Sequence, residues 1–356
     1  MTTQGGPPFV GPEFHRTQNY LLTGLRLLRG DANLPKTVKP GDELNNRMAQ
    51  TVQAMGIEAA YDEVSETIEH AIAELEPLAG FFAGPTAMDV RFLSLTGALR
   101  ALAETTDLLP AELMRELGRP NLAGLSDALR HMNLAAGAGY RHRAAERLRG
   151  LYVIVDPELT NGRDPAEVAQ QAIAGGATAL QLRDKARDKG DGLPLAQRLA
   201  DLCRREGVTL IVNDHADLAA AVGADGLHVG QHDLPLAVAQ SVVRPWQFVG
   251  TSNALAEEAT ASYEGGASYI AVGRMFETTS KANTRPAGPE TLARVRELVP
   301  AGGPPLVGIG GITADNAGEV ARAGADGIAV ISAVTQADDP RAAAAALLEA
   351  FASAKA

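Results

Sequence analysis

The chain of 356 residues holds a single cysteine, Cys203, so no disulfide can form within it, and a reducing, cytoplasmic setting is expected. Aromatic residues make up only 4%, which leaves the core to Ala, Val, Leu and Ile. No apolar run reaches the ~18 residues of a membrane span. The opening MTTQGGPPFVGPEF has neither a basic start nor a long apolar stretch. Neither a membrane anchor nor a secretory signal is therefore expected. Positive charge is also in short supply: 32 Lys+Arg against 43 Asp+Glu give a net charge of -11, the opposite of a general nucleic-acid binder. What is present is 46% apolar and 21% charged residues, enough to build a core, on a length that favours two domains.

The two halves differ in texture. Residues 1–12 are rich in Gly and Pro and are expected to form a flexible tail. Residues 13–149 read as an all-α domain, with Leu21, Leu22, Leu25 and Leu28 on one face of a first helix. A proline-broken connector follows, then helical stretches near 46–78, 85–105, 110–118 and 126–149. This half carries no metal or nucleotide motif. His15, His70, His131 and His142 are scattered, and Glu63, Glu66 and His70 share what a solvated helix face explains. Packing on the second half, self-association and contact with another protein are all open roles for it.

From residue 150 to 356 the pattern alternates between strands and helices. LYVIVD, ALQLR, TLIVN, GLHV, QFVGT, YIAVG, PLVGI and GIAVIS are short runs, apolar on both faces as in parallel sheets. Gly176-Ala177, Gly223-Ala224, Gly266-Ala267 and Gly324-Ala325 each close a helix before a strand, where glycine fits the left-handed cap. Eight such units predict an α/β fold, a (β/α)8 TIM barrel preceded by the all-α N-terminal domain. A doubly wound open sheet is the alternative. It lacks the Gly-rich turn after its first strand, which ends instead in Asp156-Pro157.

Barrel chemistry gathers at the carboxyl ends of the strands. There Gln181, Arg183 and Lys185 alternate on one face, an amide and two cations suited to an anion; a merely solvated strand end is the competing reading. Asn213-Asp214 ends the third strand and Asp233 follows the fourth. Two carboxylates beside such a clamp suggest Mg²⁺ held by oxygens, against helix-capping loop aspartates. His215, His228 and His232 match no closed zinc spacing and read as structural. Gly250-Thr251-Ser252 ends the fifth strand, and the sixth leads into a hydroxyl-rich loop, Phe276-Glu277-Thr278-Thr279-Ser280-Lys281. After strand seven come Gly308-Ile309-Gly310-Gly311-Ile312-Thr313, and after strand eight Ile331-Ser332, a pairing that suits a phosphate. Since residues 151–356 carry 17 Lys+Arg and 25 Asp+Glu, these anion sites depend on local placement.

Together QLRDK, Asn213-Asp214, HVGQHD, VGTS, GRMFETTSK, GIGGIT and AVISA resemble, in order, the strand-end motifs of the thiamine-phosphate synthase family. The resemblance covers about 151–350. It implies a Mg²⁺-dependent transferase that joins 4-amino-2-methyl-5-hydroxymethylpyrimidine diphosphate to hydroxyethylthiazole phosphate, giving thiamine phosphate and pyrophosphate. By family match, Gln181, Arg183, Lys185, Asn213 and Lys281 bind the pyrimidine diphosphate, with Arg183, Lys185, Lys281 and Ser252 as the catalytic set. Asp214 and Asp233 hold the metal, Ser252 sits near the pyrimidine, and Thr278, Ser280, Gly311, Ile331 and Ser332 hold the thiazole phosphate. The partners implied are these small molecules, with no nucleic acid and no membrane. The sequence departs from the family at Arg274 and Glu277, where prolines are usual, at Ser280 in place of threonine, and at Ala254, where many members have histidine. A more mobile loop is expected from the lost prolines. A thiazole tautomerase-like barrel and a non-catalytic binding barrel are the alternatives.

Overall fold

The computed structural model describes residues 137–278, 285–300 and 302–355. The tail at 1–12, and the helical domain as far as residue 136, lie outside the described residues. Eight parallel strands follow: β1 Leu151–Val155, β2 Ala177–Leu182, β3 Thr209–Asn213, β4 Gly226–Val229, β5 Phe248–Asn253, β6 Tyr269–Gly273, β7 Leu306–Ile309 and β8 Gly327–Val330. Each pairs with the next, and β1 pairs with β8 through Leu151↔Ile328, Tyr152↔Ala329 and Val153↔Val330. That last ladder closes the sheet into the expected (β/α)8 barrel and excludes the open doubly wound alternative. Among the described residues no helix is long and apolar enough to cross a membrane.

Strand alternation sorts the side chains into two cores. Leu151, Val153 and Val155 face the outer helices, while Tyr152 and Ile154 face the barrel interior. The interior alternates large and small residues to fill its taper. A Cβ on Gly226 would enter the Phe248 ring, and one on Gly250 the Tyr269 ring. Tyr269 meets Tyr152 edge to face at 6.1 Å and Phe248 at 5.8 Å, and stacks on His228 at 5.6 Å. Outside, the first helix of the ring, Pro165–Ala174, shows how sequence sets its bounds. Asp164 accepts from the Ala166 amide, Pro165 opens the first turn, and Val168, Ala169 and Ala172 are buried. The four glycines expected to end helices all have positive φ: Gly176 at 103°, Gly223 at 64°, Gly266 at 77° and Gly324 at 95°.

The barrel unit begins at Tyr140, ten residues before the boundary read from the sequence. Residues 137–146 are helical. Ala144, Ala145 and Leu148 are buried in the same cluster as Tyr152, Ile154 and Phe248, at the amino ends of the strands. The Thr209 hydroxyl donates to the Ala144 carbonyl at 2.9 Å, and Arg149 pairs with Asp326 at 2.7 Å. Helical periodicity alone assigns this segment to the preceding domain; its apolar face is in fact covered by the floor of the barrel. Leu148→Ala is therefore expected to lower unfolding stability by about 2–5 kcal/mol. Below the unfolding transition activity should persist, as thermal melts read beside initial rates would show.

Candidate active site at the carboxyl ends of the strands

On β2, Leu180 and Leu182 face the helices while Gln181 faces the interior. Arg183 continues on the inner side just beyond the strand. Its guanidinium donates to the Asp156 carboxylate at the end of β1, a nearly buried group that also accepts from the Glu158 amide at 3.1 Å. The arginine is thereby held at the rim. Lys185 stands further out, its Nζ 2.9 Å from Asp214 Oδ2.

Asp214 occupies the left-handed region, φ 62°, at the centre of a three-residue turn in which the His215 amide donates to the Asn213 carbonyl at 2.7 Å. Its own amide donates to the His228 carbonyl at 2.9 Å, which ties the turn to β4. An uncommon backbone conformation at a strand end is where functional strain concentrates. The turn sets the Asp214 carboxyl against that of Asp233, whose Oδ2 accepts from the Gly230 amide at 2.8 Å. Burial pushes the Asp214 carboxyl above the usual carboxylate range, and its hydrogen bond with Asp233 adds to this against the pull of Lys185. At Asp233 burial acts upward too, but the bonds from Asp214 and from the Gly230 amide outweigh it and hold the group below that range. Two carboxyl groups in contact at a half-buried site need a proton or a cation between them. Among the described residues no group of three or more His, Cys, Asp and Glu forms a protein-only cage. Two carboxyl groups alone suit only a hard divalent cation that takes the rest of its shell from water and phosphate oxygens. Asn213 is half-buried on the same rim.

Ser252, on β5, is gripped from two sides. Gln231 donates to its carbonyl, and His228 Nε2 lies 2.7 Å from its Oγ. Behind His228 the contacts run inward: Nδ1 is 2.6 Å from the Tyr269 hydroxyl, which is 3.2 Å from the Tyr152 hydroxyl, to which Gln181 donates. Sequence reading set His228 aside as structural and passed over both tyrosines. The available signal was parity: Tyr152, His228 and Tyr269 each fall on the inward positions of their strands.

The loops after β6, β7 and β8 form the opposite arc of the mouth. Thr278 is half-buried there, whereas Ser280 and Lys281 lie outside the described residues. The described base of this loop carries polar contacts. Arg274 and Glu277, the two residues in place of prolines, form an ion pair at 2.6 Å. The Arg274 amide donates to the Arg285 carbonyl at 3.1 Å, and the Ala287 amide to the Arg274 carbonyl at 2.9 Å. Gly311, with φ 67°, passes so close to this loop that a Cβ would lie 2.5 Å from the Glu277 carbonyl oxygen and 2.8 Å from Phe276. Asn316 closes the turn by donating to the Gly311 carbonyl at 3.0 Å. Ile331 and Ser332 are half-buried beside it, where β8 passes into the short helix Ser332–Thr335. Gly311→Ala has to displace the β6 loop and adopt a conformation costing roughly 1–2 kcal/mol. If this arc holds a phosphate and the opposite arc a second ligand, the substitution should raise KM for the first by about tenfold or more and change KM for the second far less. Equal effects on both would place the glycine elsewhere.

A model of the thiamine monophosphate synthase family matches residues 151–334. The thiamine-phosphate synthase of Moorella thermoacetica is 46% identical over 200 residues, 56% of this chain and 94% of its own length. That of Methanospirillum hungatei is 45% identical over 187 residues, 52% and 89% of the two chains. The solved thiamine phosphate pyrophosphorylase from Pyrococcus furiosus superposes with a TM-score of 0.54 at 37% identity, covering 59% of this chain and 98% of that one. The matched segment is more than half of the chain and contains the barrel from its first strand to its last, so the chain belongs to the thiamine monophosphate synthase family.

Proposed function

We propose that this barrel is a thiamine-phosphate synthase, which joins 4-amino-2-methyl-5-hydroxymethylpyrimidine diphosphate to hydroxyethylthiazole phosphate and releases pyrophosphate. The observation that carries the reading is the meeting of Arg183, Lys185, Asp214 and Asp233 on one arc of the mouth, with the close-packed Gly311 turn on the other. One arc suits a diphosphate, the other a single phosphate. Gln181, Arg183, Lys185 and Asn213 are assigned to the pyrimidine diphosphate, joined by Lys281. Ser252 is assigned to the pyrimidine ring, and Thr278, Ser280, Gly311, Ile331 and Ser332 to the thiazole phosphate. Asp214 and Asp233 would hold Mg²⁺, which, when bound, neutralises charge on the leaving diphosphate.

No side chain has to act as nucleophile or general base. The bond between the pyrimidine methylene carbon and the diphosphate oxygen breaks first, its electron pair leaving with oxygen. The methylene cation is stabilised by the ring's amino group, and the thiazole nitrogen then supplies the pair for the new C–N bond. The residues serve by holding the leaving anion and aligning the nucleophile. A tautomerase would want a proton shuttle after β5, where this chain has the buried Ala254, its amide bound to Glu258 at 2.8 Å. The reading assigns the chemistry to the barrel half and gives residues 1–136 no part in it.

The test is incubation of the purified protein with both substrates and Mg²⁺. Thiamine phosphate and pyrophosphate should appear in equal amounts. Folded protein that yields neither, or that only isomerises the thiazole, overturns the assignment.

A further inference from the structure

Tyr152, Tyr269 and His228, which link Gln181 to Ser252 through the barrel interior, have no role in the scheme above. Tyr152 and Tyr269 are both almost wholly buried, and His228 is 6% exposed. Phe248 shows that this layer accepts a plain ring. Buried hydroxyl and imidazole groups are costly there unless every one finds a partner. The chain satisfies them only if its hydrogens all run the same way.

Its direction follows from Gln181, whose side-chain amide donates to the Tyr152 oxygen. With Gln181 as the donor, the one ordering that gives every hydroxyl proton a partner has Tyr152 donate to Tyr269, and Tyr269 to His228 Nδ1, across contacts of 3.2 and 2.6 Å. Burial pushes both phenols above the usual tyrosine range, so both stay protonated. With Nδ1 accepting, the ring carries its proton on Nε2 and donates to Ser252 Oγ. The Ser252 oxygen therefore accepts from below, and its own proton is free to point into the mouth.

We propose that Tyr152, Tyr269 and His228 are positioning residues that, oriented by Gln181, set the Ser252 hydroxyl as a hydrogen-bond donor toward the pyrimidine. This rests on the assignment of Ser252 to the pyrimidine ring. A donor selects a ring nitrogen, which accepts, over the exocyclic amino group, which donates. The chain thus fixes which edge of the ring meets β5, and with it the direction of the reacting methylene. With the chain reversed, Ser252 would present a lone pair and prefer the amino edge.

A double-mutant cycle tests this, with kcat/KM for the pyrimidine diphosphate as the reading. Ser252→Ala and Tyr269→Phe should each lower it by about tenfold or more, the scale of one misdirected buried hydrogen bond. If the tyrosine acts through the serine, the double variant should match Ser252→Ala within about twofold. KM for the thiazole phosphate should stay within about twofold throughout, a selectivity that a general loss of packing would not give. Multiplying effects in the double variant overturn the positioning role while leaving Ser252 in place. A silent Ser252→Ala, in protein that still makes thiamine phosphate, overturns the assignment of Ser252 itself and the relay with it. If Tyr269→Phe does not fold, Tyr152→Phe replaces it in the same cycle. That variant leaves Tyr269 and His228 in contact but cuts them from Gln181, and the same convergence on Ser252→Ala is required.

Discussion

Arg183→Ala is expected to lower kcat by about 10²–10³-fold, the scale of one lost preorganised contact to a developing anion. The structure gives the reason for so large a figure. Arg183 is anchored at the rim by the nearly buried Asp156 carboxylate, so little ordering remains when a diphosphate arrives. A guanidinium grips phosphate with a planar fork, and part of that fork stays available while one nitrogen holds Asp156. Arg183→Lys keeps the charge but loses this geometry, and its loss should fall between those of wild type and alanine. The anchor needs its own control, because alanine leaves Asp156 buried without its cation, a cost of up to about 3–5 kcal/mol in stability. Asp156→Asn separates the two effects. It keeps the arginine, removes the charge that aims it, and should cost roughly tenfold in kcat/KM, about one hydrogen bond to a charged group. Single-turnover rates at saturating substrate decide the matter. A wild-type kcat with only a raised KM would reduce Arg183 to a binding group.

Much of this arrangement is legible in the chain before any coordinates. Two-sided apolar runs spaced by helical stretches give the eight strands, and glycines such as Gly176 and Gly324 mark helix ends because only a residue without a Cβ takes their φ cheaply. Alternation along β2 puts Gln181 and Arg183 on the inner side, and the strand-end rule gathers Asp214, Asp233 and Ser252 at one mouth. Three things were not legible, each for a physical reason. The floor segment from Tyr140 carries the periodicity of any amphipathic helix, and periodicity does not say what covers its apolar face. The replacements at 274 and 277 read only as lost prolines, because the ion pair between them depends on the turn bringing i and i+3 together. The His228–Tyr269–Tyr152 chain joins strands four, six and one, residues up to 117 apart in sequence, through contacts that exist only once the barrel closes.

Asp214→Asn should abolish most activity, by about 10²-fold or more, the scale of a lost transition-state interaction. It should also raise the Mg²⁺ concentration for half-maximal rate by at least about tenfold, because a neutral amide is a poor substitute for a carboxylate on a hard cation. The substitution is unusually clean at this position. Asp214 sits at φ 62°, a region that asparagine tolerates better than nearly any other non-glycine residue. Backbone strain and side-chain size are therefore almost unchanged, and charge is what is lost. Alanine, by contrast, would mix the missing ligand with the cost of the left-handed turn. The charge has two partners, Lys185 at 2.9 Å and the Asp233 carboxyl, and the Mg²⁺ titration tells them apart. If Asp214 serves chiefly to place Lys185 against the diphosphate, the rate falls while the Mg²⁺ dependence stays where it was, and Lys185→Ala reproduces the loss. If it is a metal ligand, the half-saturation point moves, and calorimetric binding of Mg²⁺ with inorganic pyrophosphate weakens in parallel. Asp233→Asn should then show the same displacement, since the two carboxyl groups face one cation from adjacent strand ends. A rate loss at Asp214 with the Mg²⁺ requirement unchanged would remove that residue from the metal site and leave Asp233 without a partner there.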